Sequence, residues 1–231
     1  MIEVLVISID EPQVGSCLES IKKQTIPFGN IVHINNDVTI TYTGAYNRGI
    51  SLLKGDWFLN LNGDICLYPD AVEKCIKALE GCNDDKVAGH LFEFYDTFLE
   101  IRQSGMGLFK TDIMKSTPMR ERLCGDMQQG RDLFKKGWGF KRQQSILGIH
   151  FNYPDEFQVF RRFYVSGLKY NHTALAEIGA NLDRLFAKTD NPLYQVAMKA
   201  MSFAGIKNGL YPGSHNINFD RKMYEEFKLG E

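Results

Sequence analysis

Apolar positions along the first hundred residues alternate between two spacings. Ile2–Ile9 is a continuous β-branched apolar run, as in a strand buried on both faces. Ser16–Gln24 sets Cys17, Leu18 and Ile21 on one helical face and Glu19, Lys22 and Lys23 on the other, and Pro27 follows as a stop. Asn30–Asn35 predicts a second strand. Ala45–Leu53 predicts a second helix, closed by Lys54-Gly55 as a C-cap. Asp56–Leu61 reads as a third strand, Pro69–Leu79 as a third helix with Gly81 behind it, and Lys86–Phe94 as a fourth strand. Strand–helix–strand alternation implies right-handed crossovers and an α/β fold with a mostly parallel central sheet flanked by helices.

The middle of the chain is less regular. Asp96 turns a hairpin between Phe94 and Phe98, Gly105-Met106-Gly107 reads as a flexible loop, and Met127–Lys136 as a helix ended by Gly137. Phe140–His150 is a strand or an extended tail of the sheet. Beyond Pro154 the spacing is helical over Glu156–Tyr170, Thr173–Lys188 and Pro192–Ile206; Pro212–Asn218 breaks it before a short final helix. The expected division is residues 1–150 for an α/β domain and 151–231 for a helical extension.

Composition narrows the classes. The chain has 231 residues, 44% of them hydrophobic and 12% aromatic, enough apolar area to fold without disulfides or structural metal. A net charge of −1 supplies no field for binding nucleic acid. The five cysteines, odd in number and without a CxxC pair, suit reduced thiols in the cytoplasm. The start, Met-Ile-Glu-Val-Leu-Val-Ile-Ser, reads as a strand and not as a signal peptide. The longest near-apolar stretch, Leu193–Ile206, is shorter than the roughly 20 residues of a spanning helix. Arg161-Arg162 could touch an anionic membrane at its inner face, although a solvated helix face is the plainer reading.

Ligands of parallel sheets bind beyond the carboxyl ends of the strands. Three polar sets stand there: Ser8-Ile9-Asp10, Asn35-Asn36-Asp37 and Asn62-Gly63-Asp64. A carboxylate at position 64 can hold Mg2+ or Mn2+ through oxygen, and the cation can neutralise a diphosphate. Gly63 lets backbone and ligand come close. Asn-Gly is also an ordinary turn dipeptide. Asp126 could be no more than the N-cap of its helix, and His150 a core histidine ending a strand.

The passage Gly55-Asp56-Trp57 through Asn62-Gly63-Asp64 to Leu67-Tyr68-Pro69-Asp70-Ala71 resembles the stretch around the D-x-D element of family-2 glycosyltransferases. Three further blocks resemble that family in the same order. They are Cys17-Leu18-Glu19-Ser20-Ile21 with Gln24-Thr25; Asn47-Arg48-Gly49 with Lys54-Gly55; and Cys124-Gly125-Asp126 followed by Gly137 and His150. The resemblance covers roughly residues 2 to 150 and implies the GT-A fold, a Rossmann-like architecture that binds nucleotide-diphosphosugars.

The resemblance also implies roles. Asp64 matches the metal and diphosphate ligand, with Mn2+ or Mg2+ as the cation, and His150 matches a histidine completing the metal site. Asn62 matches the residue touching ribose and metal. Asn35 and Asn36 match the acids that read the nucleobase. Ser8, Ile9, Asp10, Asn47, Arg48 and Gly63 fall around the donor pocket, and Asp126 matches the general base of an inverting transfer. A UDP-sugar is the first expectation for the donor; the acceptor is a glycan, lipid or protein hydroxyl. Trp138 and Gly105–Phe109 fall where the acceptor is expected, and the C-terminal helices either complete that side or pack a second copy of the chain. Positions 35, 36 and 62 are amides where the family has acids, and Gly125 replaces a glutamate. Those replacements leave an alternative open, a non-catalytic binding or scaffold protein on the same fold. A nucleotidyltransferase would carry a Gly-rich basic loop after the first strand, which Ser8–Val14 lacks.

Overall fold

The structure is a computed structural model of the chain; it describes residues 1–9, 11–35, 40–122, 124–151, 155–169, 172–206 and 217–229. Clustering of contacts divides the chain into two compact units, Met1–Glu121 with Gly125–Asn152, and Arg122–Cys124 with Tyr153–Glu231.

The first unit runs β1 (Ile2–Ser8), α1 (Val14–Lys22), β2 (Ile31–Asn35), α2 (Tyr42–Leu52), β3 (Trp57–Asn62), β4 (Ile65–Leu67), α3 (Ala71–Glu80), β5 (Val87–Asp96), β6 (Ile101–Lys110), α4 (Thr111–Lys115), α5 (Gly125–Lys135) and β7 (Gly139–His150). The strands form one sheet in the order β2-β1-β3-β6-β5-β7-β4. β1 pairs in parallel with β2 and β3, and β5 with β7; the partners of β6 and the partner of β4 are antiparallel. β1, β2, β3, β5 and β7 therefore all point the same way, and their carboxyl ends share one edge.

β1 lies at the centre of the packing, buried at every position. Val4 and Val6 face α1 and α3 through Cys17, Ile21, Val72 and Cys75. Leu5 and Ile7 face α2 through Tyr46 and Ile50. Each such aliphatic side chain contributes roughly 1.5–3 kcal/mol by leaving water. The two-period pattern of the sequence is thus met by helices on both faces.

Some expectations change and others are extended. The Gly105-Met106-Gly107 run is not a loop but the middle of β6, where Gly107 pairs with Leu91 and Asn60. Gly107 and Gly89 leave room for the ring of Phe109, whose carbons a Cβ on either would strike, and Gly105 lies against the ring of Phe94. The tight connection from Asp96 to Ile101 makes β6 antiparallel and inserts it between β3 and β5. β4, three residues long, is too short to show a period in sequence. Lys54-Gly55 does not cap α2. Leu53 is already extended there, with φ −69° and ψ 145°, and the Lys54 and Gly55 amides both donate to Glu3 Oε2, at 2.7 and 2.8 Å. The buried Glu3 carboxylate thereby ties the end of α2 to the central strand.

The second unit holds α6 (Glu156–Lys169), α7 (His172–Thr189), α8 (Leu193–Ile206) and α9 (Ile217–Leu229). α9 has 13 residues and is not short; the break expected from Pro212 lies outside the described residues up to position 216. No described helix is long and apolar enough to cross a membrane. α8 is a core helix instead, with Ala197, Ala200 and Ala204 fully buried. A Cβ on Gly167 of α6 would lie 2.8 Å from the Met201 carbonyl oxygen of α8, so these two helices cross at backbone range. Phe160 packs on Tyr164, Tyr224 and Phe227 with ring centres 4.9–5.3 Å apart. The Arg161 Nε donates to the fully buried Asp220 at 2.9 Å. Arg162 lies with its guanidinium 5.3 Å from the centre of the Phe163 ring.

Replacing Glu3 by alanine leaves two backbone donors without their acceptor, at about 1–3 kcal/mol for each buried donor. The expected loss in urea unfolding is about 2–3 kcal/mol; an unchanged midpoint would show that Glu3 does not hold α2.

Candidate active site

Because five strands run together, one edge of the sheet collects Ser8, Asn35, Asn62, Asp96 and His150, the last residues of β1, β2, β3, β5 and β7. β4 starts at the same edge, directly after Gly63-Asp64. The strand registers then bring distant residues together. His150 is paired with Ile65 across β4–β7 and with Asp96 across β5–β7. Residues paired directly across neighbouring strands project to the same face.

The contacts follow from that register. His150 Nε2 lies 2.8 Å from Asp64 Oδ2, and His150 Nδ1 lies 2.9 Å from Asp96 Oδ2. Asp96 is wholly buried, and its Oδ1 accepts the amides of Phe98 (3.1 Å) and Leu99 (2.8 Å). The Thr97 amide and hydroxyl both donate to the His150 carbonyl, at 3.2 and 3.1 Å. Phe94 meets the imidazole edge-on at 5.4 Å. The Phe151 amide donates to the Asp64 carbonyl at 3.0 Å.

Asp64 Oδ1 is buried and has no hydrogen-bond partner among the described residues. A carboxylate oxygen in that position calls for a proton or a cation. Its surroundings are already negative. Burial pushes the Cys17 thiol up to about 12, and the nearby Cys66, Asp64 and Glu11 add to the shift. Among the described residues no group of three or more acidic, His or Cys side chains is gathered for a metal ion. Asp64 and His150 could still hold a hard divalent cation, since Mg2+-type sites take one or two protein ligands and fill the rest with phosphate oxygen and water.

A second cluster lies at the ends of β1 and β2. The buried Ser8 hydroxyl donates to Asn35 Oδ1 at 2.9 Å and lies 2.8 Å from His33 Nε2. With its single proton spent on Asn35, the hydroxyl accepts from His33, which fixes the His33 proton on Nε2. Burial holds the His33 pKa below its ordinary value, so the ring stays neutral. Gly63 is packed against the chain itself: a Cβ there would come within 2.6 Å of Ser8 Cβ and 3.0 Å of Val14 Cγ2. Its amide donates to the Ile7 carbonyl. The Ile9 amide donates to Glu11 Oε2 at 2.6 Å.

Asp126 is exposed in the first turn of α5, one residue into the helix and not at its cap. No bond joins it to Asp64. Its charge and that of Asp64 both help raise the Tyr42 phenol, which burial carries to about 12; Asp126 also acts on Tyr46. Gly125 packs so tightly on Met119 and the Arg120 carbonyl that a Cβ would lie 2.7–2.8 Å from them. Asn47 bonds to the main chain of Met119. Nδ2 donates to the Met119 carbonyl at 2.8 Å and Oδ1 accepts the Met119 amide at 3.0 Å, which fixes the loop before α5. Arg48 and Asn62 are exposed and Ile9 is half-buried. Asp10 and Asn36 lie outside the described residues. Trp138 is not an open platform, since the ammonium groups of Lys86 and Lys110 lie 5.0 and 5.7 Å from its ring.

Sequence reasoning missed two participants. The spacing ends the fourth strand at Phe94 and leaves Asp96 as a turn residue; β5 runs two residues further and puts this acid at the ligand edge. His33 carries no spacing signal, since its partners Ser8 and Asn35 lie on two different strands.

At pH 8 a thiol with a pKa of about 12 is ionised to about one part in 10⁴. Cys17 is therefore expected to resist iodoacetamide in the native protein and to react after denaturation, as read by mass spectrometry. Rapid native labelling would show that the site floor is open.

The model of the family described as Glycosyl transferase family 2 matches residues 4–168. No curated protein matches the sequence. Solved structures share the fold at low identity. The mannosyltransferase PcManGT from Pyrobaculum calidifontis, in complex with GDP-Man and Mn2+, aligns with a TM-score of 0.56 and 11% identity over 99% of this chain and 79% of its own. TarS 1-349 of S. aureus aligns at 0.51 and 12%, over 100% and 92%. Glucosyl-3-phosphoglycerate synthase from Mycobacterium tuberculosis, with Mn2+, UDP and phosphoglyceric acid, aligns at 0.52 and 13%, over 78% of each chain. The fold is GT-A, as the sequence blocks implied.

Proposed function

This chain belongs to glycosyl transferase family 2, and on that premise we propose that it moves a sugar from a nucleoside-diphosphate donor to an acceptor hydroxyl, with inversion at the anomeric carbon. The observation that carries this reading is the buried, unpartnered Asp64 Oδ1 beside His150 at the ligand edge of the sheet. These two residues would hold Mn2+ or Mg2+, whose positive charge stabilises the departing diphosphate when it is bound. Two of the structural neighbours are described with Mn2+ together with a nucleotide or nucleotide-sugar.

The chain's own residues then divide the work. Ser8 orients Asn35 toward the nucleobase, for which uracil is the first expectation. The exposed Asn62 faces the ribose and Arg48 adds positive charge near the donor. Asn47 acts at one remove, by fixing the Met119 loop ahead of α5. Asp126, exposed to an incoming acceptor, takes the hydroxyl proton as the nucleophile attacks. Attack from the face opposite the leaving diphosphate inverts the anomeric centre, and a positioned base contributes typically ~10²–10⁴-fold. The acceptor is a glycan, lipid or protein hydroxyl.

A second reading has one observation in its favour: positions 35, 36 and 62 are amides. A binding module on the same fold would retain nucleotide affinity without turnover. Hydrolysis of a panel of nucleotide sugars with Mn2+ separates the two, since slow release of nucleoside diphosphate from one donor marks an enzyme.

Asp126→Asn is expected to lower transfer at least 100-fold while leaving the affinity for nucleoside diphosphate, measured by calorimetry, within about twofold. Wild-type turnover in this variant would remove Asp126 from the role of base.

A further inference from the structure

We infer that Asp96 is a positioning residue that holds the proton of His150 on Nδ1, so that the Nε2 lone pair points at the place a cation takes beside Asp64. The inference rests on the reading of Asp64 and His150 as the cation-holding pair. Both imidazole nitrogens face carboxylate oxygens, at 2.8 and 2.9 Å. A neutral imidazole has one N–H and one lone pair. Whichever carboxylate claims the proton decides which nitrogen can ligate.

The surroundings favour Asp96. Its side chain is wholly buried, whereas that of Asp64 is 26% exposed and can take hydrogen bonds from water. An acceptor that water cannot reach must draw its donors from the protein. Asp96 Oδ1 already has two, the amides of Phe98 and Leu99. Oδ2 faces His150 Nδ1 at 2.9 Å, a contact that is attractive when Nδ1 carries the proton. Nε2 then presents its lone pair to Asp64 Oδ2, a contact of like character that a cation resolves. Carboxylate–imidazole–metal lines of this kind orient the ring and raise its basicity.

A structural role alone would not require an acid at this position. Turning the β5–β6 hairpin uses Oδ1 only, and Asn or Ser caps such a turn equally well. The second oxygen is the part that a carboxylate adds. Residue 97 completes the grip, since the Thr97 amide and hydroxyl fix the His150 main chain.

Asp96→Asn separates the two roles. The Asn oxygen must stay with the Phe98 and Leu99 amides, so its NH2 turns to Nδ1, donor against donor. The ring then moves its proton to Nε2, where it blocks ligation. Long-range ¹⁵N–¹H spectra of the neutral His150 ring, without metal, are expected to show Nδ1–H in the wild type and Nε2–H in Asp96→Asn. Titration of Mn2+ alone, followed by the electron paramagnetic resonance of the free ion, is expected to show a 10- to 100-fold weaker affinity in the variant. Asp96→Ser, which keeps a turn-capping oxygen and removes the second one, is expected to weaken Mn2+ similarly and serves if the Asn variant unfolds. An Nε2–H wild-type ring, or Asp96 variants with wild-type Mn2+ affinity, would overturn the inference. Asp64→Asn is the control for the underlying reading: if it leaves Mn2+ affinity unchanged, the cation site is wrong, and the tautomer spectra still decide what Asp96 does.

Discussion

A buried carboxylate has to find its donors inside the protein, and the way Asp96 does so joins three strand ends into one site. One oxygen closes the β5–β6 hairpin and the other meets the imidazole of His150 on the adjacent strand. The imidazole in turn reaches Asp64 ahead of β4. None of the three residues is near another in sequence. They meet because β5 and β7 are parallel, β4 and β7 antiparallel, and both registers pass through His150.

The sequence blocks that resemble the family behave largely as clamps on the segments that carry the acids. Cys17 lies against the Asn62 carbonyl, Ser20 accepts the Leu67 amide, and Gln24 binds the Tyr68 carbonyl and the Val72 amide. Thr25 adds two bonds to the Pro69 carbonyl. Together these residues of α1 and the turn after it grip the chain from Asn62 to Val72, on either side of Asp64. Asn47 does the same for the Met119 loop that leads to Asp126. Two helices thus each hold one acid-bearing segment, and neither needs to touch a ligand. A clamp of this kind explains why Ser20 and Asn47 sit in amphipathic helices beside buried neighbours: their side chains bond to backbone that would otherwise lack partners.

Electrostatics at the edge point one way. Asp64 and Glu11 raise the Cys17 thiol, and Asp64 and Asp126 raise the Tyr42 phenol, in each case on top of burial. A site that is negative before any ligand arrives favours a cation first and a diphosphate with it. The amides at 35 and 62 remove charge that the family pattern would add, so the negative potential is concentrated on Asp64.

The amino-acid sequence by itself determined the layered α/β plan, because buried strands and amphipathic helices differ in period and, from Ile2 to Leu79, each element but β4 shows one or the other. It also placed Ser8, Asn35 and Asp64 at strand ends, a local property of where apolar runs stop. Only the tertiary structure decided the rest. Strand order put the glycines of β6 in the sheet, where the rings of Phe94 and Phe109 fill the space beside Gly105 and Gly107. Register gave Asp96 to His150, and helix packing gave Asn47 its two bonds to the Met119 main chain. Each of these depends on pairing between segments far apart in the chain, and pairing has no signature in the spacing of residues within a segment.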